Sequence, residues 1–424
     1  MSRIMASGLG AAMLAGMVML ALLGHAGAQQ IEIVHMRDPG HGGEWAPWVE
    51  AAARAFEALH PDVKVTILVP ANRADHQDKI VAMYATNTLP DVTEVFPAGH
   101  YQFQLYGAFR ILDPFMEADE DLSWSQFFPT AQAAARVADG HPGAGTHWML
   151  PISMWTVAYR FDEDMFDRAG APVPSRMDHH WTWEEALDIS RKLTRIGPQG
   201  SVEQYGIDLR ADHRSIVWFH NAGAFPVDRY VHPTQSRLLD EGVRETLEYF
   251  HTIWSSRISQ VPGEPGAPMA ARLAGPDFTR NYRLGGNTFA YSFGPNPKKV
   301  RGGSENVTIG VAMGAQTQHP GIAWEWMKFL ATEQARAHIE MTGRPVPWAP
   351  AAREYQGLLL EASEWEYVWI EIMADPDSYE RPVWSDEVQS LLSRLLRDVA
   401  TGARAVGPAL EAAHDQLQAI LASR

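Results

Sequence analysis

The stretch from Ile31 to Phe96 alternates between strand and helix patterns, and that order narrows the possible folds more than any other feature. "IEIVHM" (31–36) is a short apolar run of the kind that forms a buried strand. In the following "EWAPWVEAAARAFEALH", Trp48, Ala52, Ala55, Phe56 and Leu59 fall at i, i+4, i+7, i+8 and i+11, one apolar face of a helix. Pro61 stops that helix, and "VKVTILV" (63–69) is the next strand. "DHQDKIVAMYATN" then reads as helix, and Leu89-Pro90 leads into a third strand, "DVTEVF" (91–96). A strand, helix, strand, helix, strand order requires parallel neighbours joined by helical crossovers, which places the chain among α/β folds.

The pattern restarts further on. "WTVAYRF" (155–161) reads as a strand, Trp183 to Thr194 as a helix, "YGIDL" (205–209) as a strand, and "HRSIVWFHNAG" as helix and turn. "EGVRETLEYFHTIWSS" (241–256) is a helix, and residues 260–287 carry too many Gly and Pro to assign. "NTFAYSF" and "NVTIGVAM" read as strands around the turn-rich "GPNPKKVRGGSE". Helices follow in "PGIAWEWMKFLAT" and "EQARAHIEMTG". Val388, Leu391, Leu392, Leu395, Leu396 and Val399 form a strict apolar stripe, and a last helix begins near Gly407. At 424 residues the chain exceeds one ordinary core. Two α/β lobes without a composition break between them imply that the chain crosses from one to the other more than once.

Residues 1–28 stand apart. Arg3 is their only charge, Ile4 to Leu23 are apolar or small, and Ala26-Gly27-Ala28 forms a small-x-small site, the three-part pattern of a secretory signal peptide. A membrane anchor is the competing reading of that run. The chain has no cysteine, so disulfides, thiolate metal sites and a lipid-modified cysteine are all excluded. These features predict a free protein of a bacterial periplasm. The formal net charge of −16 argues against nucleic acid and anionic membrane surfaces as partners. The supply of 15 Trp, 12 Tyr and 16 Phe exceeds what a core needs, and many lie beside turn residues.

Catalytic signatures are sparse. His179-His180 before "WTWEEALDISRKL" suggests metal or acid–base chemistry, but Thr182 and Glu185 form a capping box, and adjacent histidines ahead of a helix point different ways. There is no G-x-S-x-G elbow, H-E-x-x-H helix or phosphate-binding G-x-x-x-x-G-K-[ST] loop. "NVT" (306–308) matches a glycosylation acceptor, but in a bacterial chain reads as plain strand. No cofactor and no metal are expected. An exported carbohydrate-active enzyme is the alternative function, since 51 acidic residues always allow some carboxylate pair.

Several segments, in order, resemble the extracellular solute-binding proteins of bacterial ABC importers, specifically the sugar-binding group related to maltose- and glycerol-phosphate-binding proteins. They are "FEALHPDVKV", "LPDVTEV" with "GAFRILDPFM", "LPISMWTVAYRFDEDMFDRAGAPVPSRMDHHWTWEEALDISRKLT", "HPGIAWEWMKFLATEQARA", "TGRPVPWAPAA", "ERPVW" and "TGARAVGPALEAAHDQLQAIL". The strand at 155–161 departs from the family, ending in Arg160-Phe161 where Tyr-Asn is usual. The resemblance implies a two-lobe periplasmic-binding-protein fold of the class II type, each lobe a mostly parallel sheet flanked by helices, with a ligand cleft between lobes. The implied boundaries are 29–137 plus 286–335 for the N-terminal lobe and 138–285 plus 336–424 for the C-terminal lobe. The implied function is capture of a sugar or polyol-type small molecule by a monomer that delivers it to the permease subunits of an importer. The same fold around a peptide, polyamine or metal chelate is a further alternative.

A sugar needs aromatic faces for its C–H surface and planar donors and acceptors for its hydroxyls, and ligands of open α/β sheets sit beyond strand ends. Glu44 and Trp45 after the first strand, Glu94 in the third, Trp155, and Trp218 with Asn221 meet those terms. Gly302 and Gly303 can bring backbone N–H groups close to a ligand. Arg344 and Trp348 occupy the loop where the family often has a binding aromatic, and Tyr379 and Arg381 a segment similar to an arginine site of the glycerol-phosphate branch. An arginine there can hold an anion or hydroxyls.

Overall fold

The computed structural model describes residues 30–276, 291–352, 354 and 368–423. The segment assigned to the signal peptide, the boundary at residue 286 and the start of "NTFAYSF" lie outside them. The first sheet has the order β11-β10-β3-β1-β2, with β4 also paired to β10. Its strands are β1 (Ile31–Met36), β2 (Val63–Leu68), β3 (Val92–Val95), β4 (Leu150–Thr156), β10 (Glu305–Met313) and β11 (Tyr379–Glu380). As the opening pattern demands, β1 runs parallel to both β2 and β3. The Trp45–Leu59 helix supplies the crossover and buries Trp45, Trp48, Val49, Ala52, Ala53 and Phe56. Each large apolar side chain so removed from water contributes roughly 2 kcal/mol.

The second sheet runs β6-β7-β8-β5-β9. Its strands are β5 (Ala158–Asp162), β6 (Arg195–Ile196), β7 (Val202–Ile207), β8 (Met269–Ala274) and β9 (Tyr291–Gly294). The expectation of a mostly parallel sheet needs correction here. Among the described residues only β7–β8 is parallel, while β5 pairs antiparallel with β8 and β9, and β6 with β7. The cause is the route of the chain: β5 arrives directly from the first sheet rather than over a helix.

The run read as one strand at 155–161 is in fact two. β4 ends at Thr156 in the first sheet, and β5 begins at Ala158 in the second. The chain therefore first changes lobes at Val157, and β4, expected in the second lobe, pairs with β10 of the first. The Val157 carbonyl, at the break in the ladder, accepts from Ser304 Oγ (2.7 Å) and Asn296 Nδ2 (3.2 Å). Both donors lie on residues 295–304, the segment that returns from β9 to β10. A third crossing follows β11, where residues 381–385 lead to the terminal helices Asp386–Ala400 and Val406–Ala422.

The terminal stripe lands as its spacing requires. Val388, Leu391, Leu392, Leu395, Leu396 and Val399 are all buried in the core of the second lobe with Trp218, Leu247 and Phe250. The Ala335–Thr342 helix goes the other way. It was expected in the second lobe, yet His338 sits in contact with Trp48 (ring centroids 4.4 Å) and Trp45 (5.0 Å) of the first.

Candidate functional site

A cavity of about 330 Å³ opens where the lobes meet. It is lined by Gly40, His41, Arg73, Phe96, Trp155, Arg214, Val307, Ile309, Arg344 and Arg381. The first lobe supplies most of these, from the loop after β1, the start of the Arg73–Ala85 helix, the end of β3, and strands β4 and β10. Arg214 comes from the second lobe, on the 3₁₀ turn His213–Ser215, and its guanidinium lies over the Trp155 ring at 4.9 Å. Three residues expected at the site, Trp155, Arg344 and Arg381, are thus brought together.

Two of the arginines are held by carboxylates that do not face the cavity. Arg381 donates through Nε and Nη2 to Glu305 Oε1 at 2.9 and 2.7 Å. Burial depresses the ionisation of this guanidinium, but the Glu305 charge prevails and leaves its pKa raised. Arg73 Nε donates to Asp38 at 3.1 Å, and its guanidinium covers Gly40 so closely that a Cβ there would lie 2.2 Å from Nη2. A glycine is the residue that lets this arginine fold back over the β1 loop.

Behind this wall, Glu94 and Trp45 do not line the cavity; they fix it. Glu94 is fully buried and accepts from Trp45 Nε1 (2.8 Å) and from the Asp38 backbone N–H (2.8 Å). His35 Nε2 lies 3.4 Å from the same carboxylate. Because Trp326 Nε1 can only donate, at 2.9 Å, His35 Nδ1 must accept, and the His35 proton therefore sits on Nε2, facing Glu94. The chain of contacts runs from Trp326 through His35 and Glu94 to Asp38, and from Asp38 to Arg73.

His41 borders the cavity with 3% of its surface exposed, and its Nε2 has no hydrogen-bond partner among the described residues. Burial, reinforced by Arg344 and Arg73 and opposed by Asp38, pulls its pKa down to about 3. The ring is neutral, so its 3.7 Å approach to Asp38 is no ion pair. His338 is also held well below the usual histidine range, by burial and then by Arg344. Arg214 is lowered by burial and by the nearby Arg210 and Arg381 charges.

The remaining candidates lie elsewhere. Glu44 is exposed at the N-terminus of the Trp45–Leu59 helix. Trp218 is buried in the second-lobe core, its ring 5.4 Å from that of Trp183. Asn221 braces the returning segment: its Nδ2 donates to Pro297 O (3.1 Å), and its backbone carbonyl accepts from the Val300 and Arg301 N–H groups. Gly302 N–H donates to Asp377, and Gly303 has φ +90°, with a Cβ there 2.3 Å from Asp377 O. Tyr379 stacks on His220 at 4.3 Å, inside an aromatic cluster. Trp348 borders a separate hollow with Lys328 and Arg336. Trp181 is buried too, donating to Pro295 O at 2.8 Å, and the Thr182–Glu185 capping box is complete.

Arg73, Arg214, His41, Gly40, Phe96, Val307 and Ile309 were missed. Arg73 and Phe96 follow strands β2 and β3, where the strand-end rule could have found them. Arg214 carries no such signal, because its turn reads as an ordinary helix start. Among the described residues, no group of three or more His, Cys, Asp or Glu is placed to hold a metal ion, and no helix is long and apolar enough to cross a membrane.

Two α/β lobes, joined among the described residues by three crossings and with a polar cavity lined from both, define a two-lobe periplasmic-binding-protein fold. Residues 42–248 match the family described as bacterial extracellular solute-binding protein. The relatives and structural neighbours that follow are named as binding proteins. The chain is 28% identical over 182 residues to the sn-glycerol-3-phosphate-binding periplasmic protein UgpB of Shigella flexneri, and 27% to that of Escherichia coli strain K12. These matches take in 42% of this chain and 39% of those proteins. The sugar-binding protein MalE from Xanthomonas citri superposes with a TM-score of 0.76 at 16% identity, covering 93% of this chain and 98% of that one. The cyclic alpha-maltosyl-1,6-maltose binding protein of Arthrobacter globiformis gives 0.75 at 16%, covering 93% and 100%.

Proposed function

We propose that the protein captures a sugar or other polyhydroxylated solute in the inter-lobe cavity and delivers it to the permease of an ABC importer. The observation that carries this reading is the make-up of the cavity wall. Trp155 and Phe96 offer faces for C–H surface, Arg73, Arg344 and Arg381 offer planar donors from the first lobe, and Arg214 faces them from the second. A ligand touching both sides favours the closed arrangement, and that conformation is what a permease would recognise. The ligands named for the relatives, glycerol phosphate and oligosaccharides, share the hydroxyl-rich chemistry such a wall suits. In this reading Trp155, Arg344 and Arg381 touch the solute, Glu94 and Trp45 position Arg73, and the lobes divide at Val157, 295–304 and 381–385.

The protein works as a monomer, free in the periplasm after loss of its apolar N-terminal segment. The Ala26-Gly27-Ala28 site, the absence of cysteine and the periplasmic relatives support that placement. Calorimetry of the purified protein against mono-, di- and oligosaccharides and polyol phosphates, with small-angle scattering, tests the function. Binding tighter than millimolar accompanied by compaction is expected. No binding and no compaction with any of them would refute it.

A further inference from the structure

The charge of the cavity wall is out of keeping with the rest of the chain. The sequence has 51 acidic against 35 basic residues, yet four arginines line this one cavity and none of its described lining residues is acidic. Guanidinium groups held this close repel one another, and Arg214 is lowered partly by Arg210 and Arg381 for that reason. The two carboxylates that answer Arg73 and Arg381 lie behind the wall and leave donors to spare. Glu305 occupies Nε and Nη2 of Arg381, and Asp38 occupies Nε of Arg73. His41, nine-tenths buried, adds a polar nitrogen without a hydrogen-bond partner among the described residues.

Building on the solute-capture reading, we propose that the solute is anionic, a polyol or sugar carrying a phosphate or carboxylate, and that its charge bridges Arg214 of the second lobe to Arg73, Arg344 and Arg381 of the first. Phosphate and carboxylate both match the planar fork of arginine, and a charge shared between lobes makes closure depend on it. Neutral His41 then contributes a ring nitrogen rather than a second repulsion. A neutral sugar would leave the spare donors of Arg73 and Arg381 without an anionic partner in a partly dehydrated space.

The test uses the purified full chain and matched ligands: glycerol with glycerol 3-phosphate, glucose with glucose 6-phosphate and with glucuronate, and maltose. Calorimetry measures affinity and scattering measures compaction. The charged member of each pair should bind at least 100-fold tighter, weaken steeply with added salt, and alone compact the protein. The glucose 6-phosphate and glucuronate arms decide between phosphate and carboxylate. Arg214→Gln should weaken charged binding at least 10-fold with circular dichroism unchanged, and Arg344→Gln should do the same from the opposite lobe. Neutral glucose or maltose binding as tightly as the charged ligands, indifferent to Arg214→Gln, would overturn the proposal while leaving solute capture standing. Failure of every ligand to bind would overturn both.

Discussion

Around Arg381 and around Val157 the chain gathers polar side chains beside strand ends, and the two clusters use them in opposite ways. At Val157, Asn296, Ser304 and Asn221 direct their donors to backbone carbonyls, and the chain there is tied to itself. At the cavity, Arg73 and Arg381 keep part of their donor sets open after their carboxylates are satisfied. A polar group near a strand end is therefore no guide to binding by itself. What separates the two regions is whether neighbouring backbone needs the donor.

That contrast is open to attack by substitution. The largest effect should come from Gly303→Ala. Its φ of +90° and the 2.3 Å approach to Asp377 O leave no room for a Cβ, and about 3 kcal/mol of stability should be lost. Denaturant unfolding measures it, and a loss under 1 kcal/mol would show that the crossing is looser than described. Next, Glu94→Gln puts an amide against the N–H donors of Trp45 and Asp38. It should cost about 2 kcal/mol of stability and weaken solute binding several-fold by loosening Asp38 and Arg73. Unchanged affinity in this variant would separate the buried layer from the wall in front of it.

A pH titration probes the same layer more gently. His41 has a folded pKa lowered from 6.5 to about 3, so the unfolded chain takes up its proton first as pH falls. Its contribution is present above pH 6.5 and is lost as pH drops toward 3, with a slope of up to ~1.4 kcal/mol per pH unit. His41→Gln should flatten the acid limb of stability against pH, and an identical limb in variant and parent would count against a buried neutral ring. The smallest effect belongs to Thr182→Ala, which removes half of the capping box. About 1 kcal/mol of stability should go, with solute affinity untouched.

Where backbone periodicity decides, the sequence was readable. The β1 to β3 alternation, the capping box at Thr182 and the stripe from Val388 to Val399 all emerged in place. The break at Val157 did not, because both halves of "WTVAYRF" are equally apolar and a change of sheet leaves no mark in composition. β8 was lost among Gly and Pro for a similar reason, its "MAARLA" lacking β-branched residues. For the cavity, an aromatic that stacks on a sugar and one that fills a core have the same residue type. Trp155 and Trp218 differ only in what the fold sets beside them. Arg73 lies within reach of the strand-end rule, after β2, but Arg214 begins an ordinary helical turn and is distinguished only by where it converges.

The buried carboxylates beside two of those arginines have an entropic consequence. A free arginine side chain carries about 2 kcal/mol of rotamer entropy that any partner must overcome to hold it still. In Arg73 and Arg381 that freedom has been given up during folding, to Asp38 and Glu305. In the proposed reading, a solute arriving in the cavity would meet two guanidinia already standing in position, so more of each new contact would appear as affinity and less be spent on ordering.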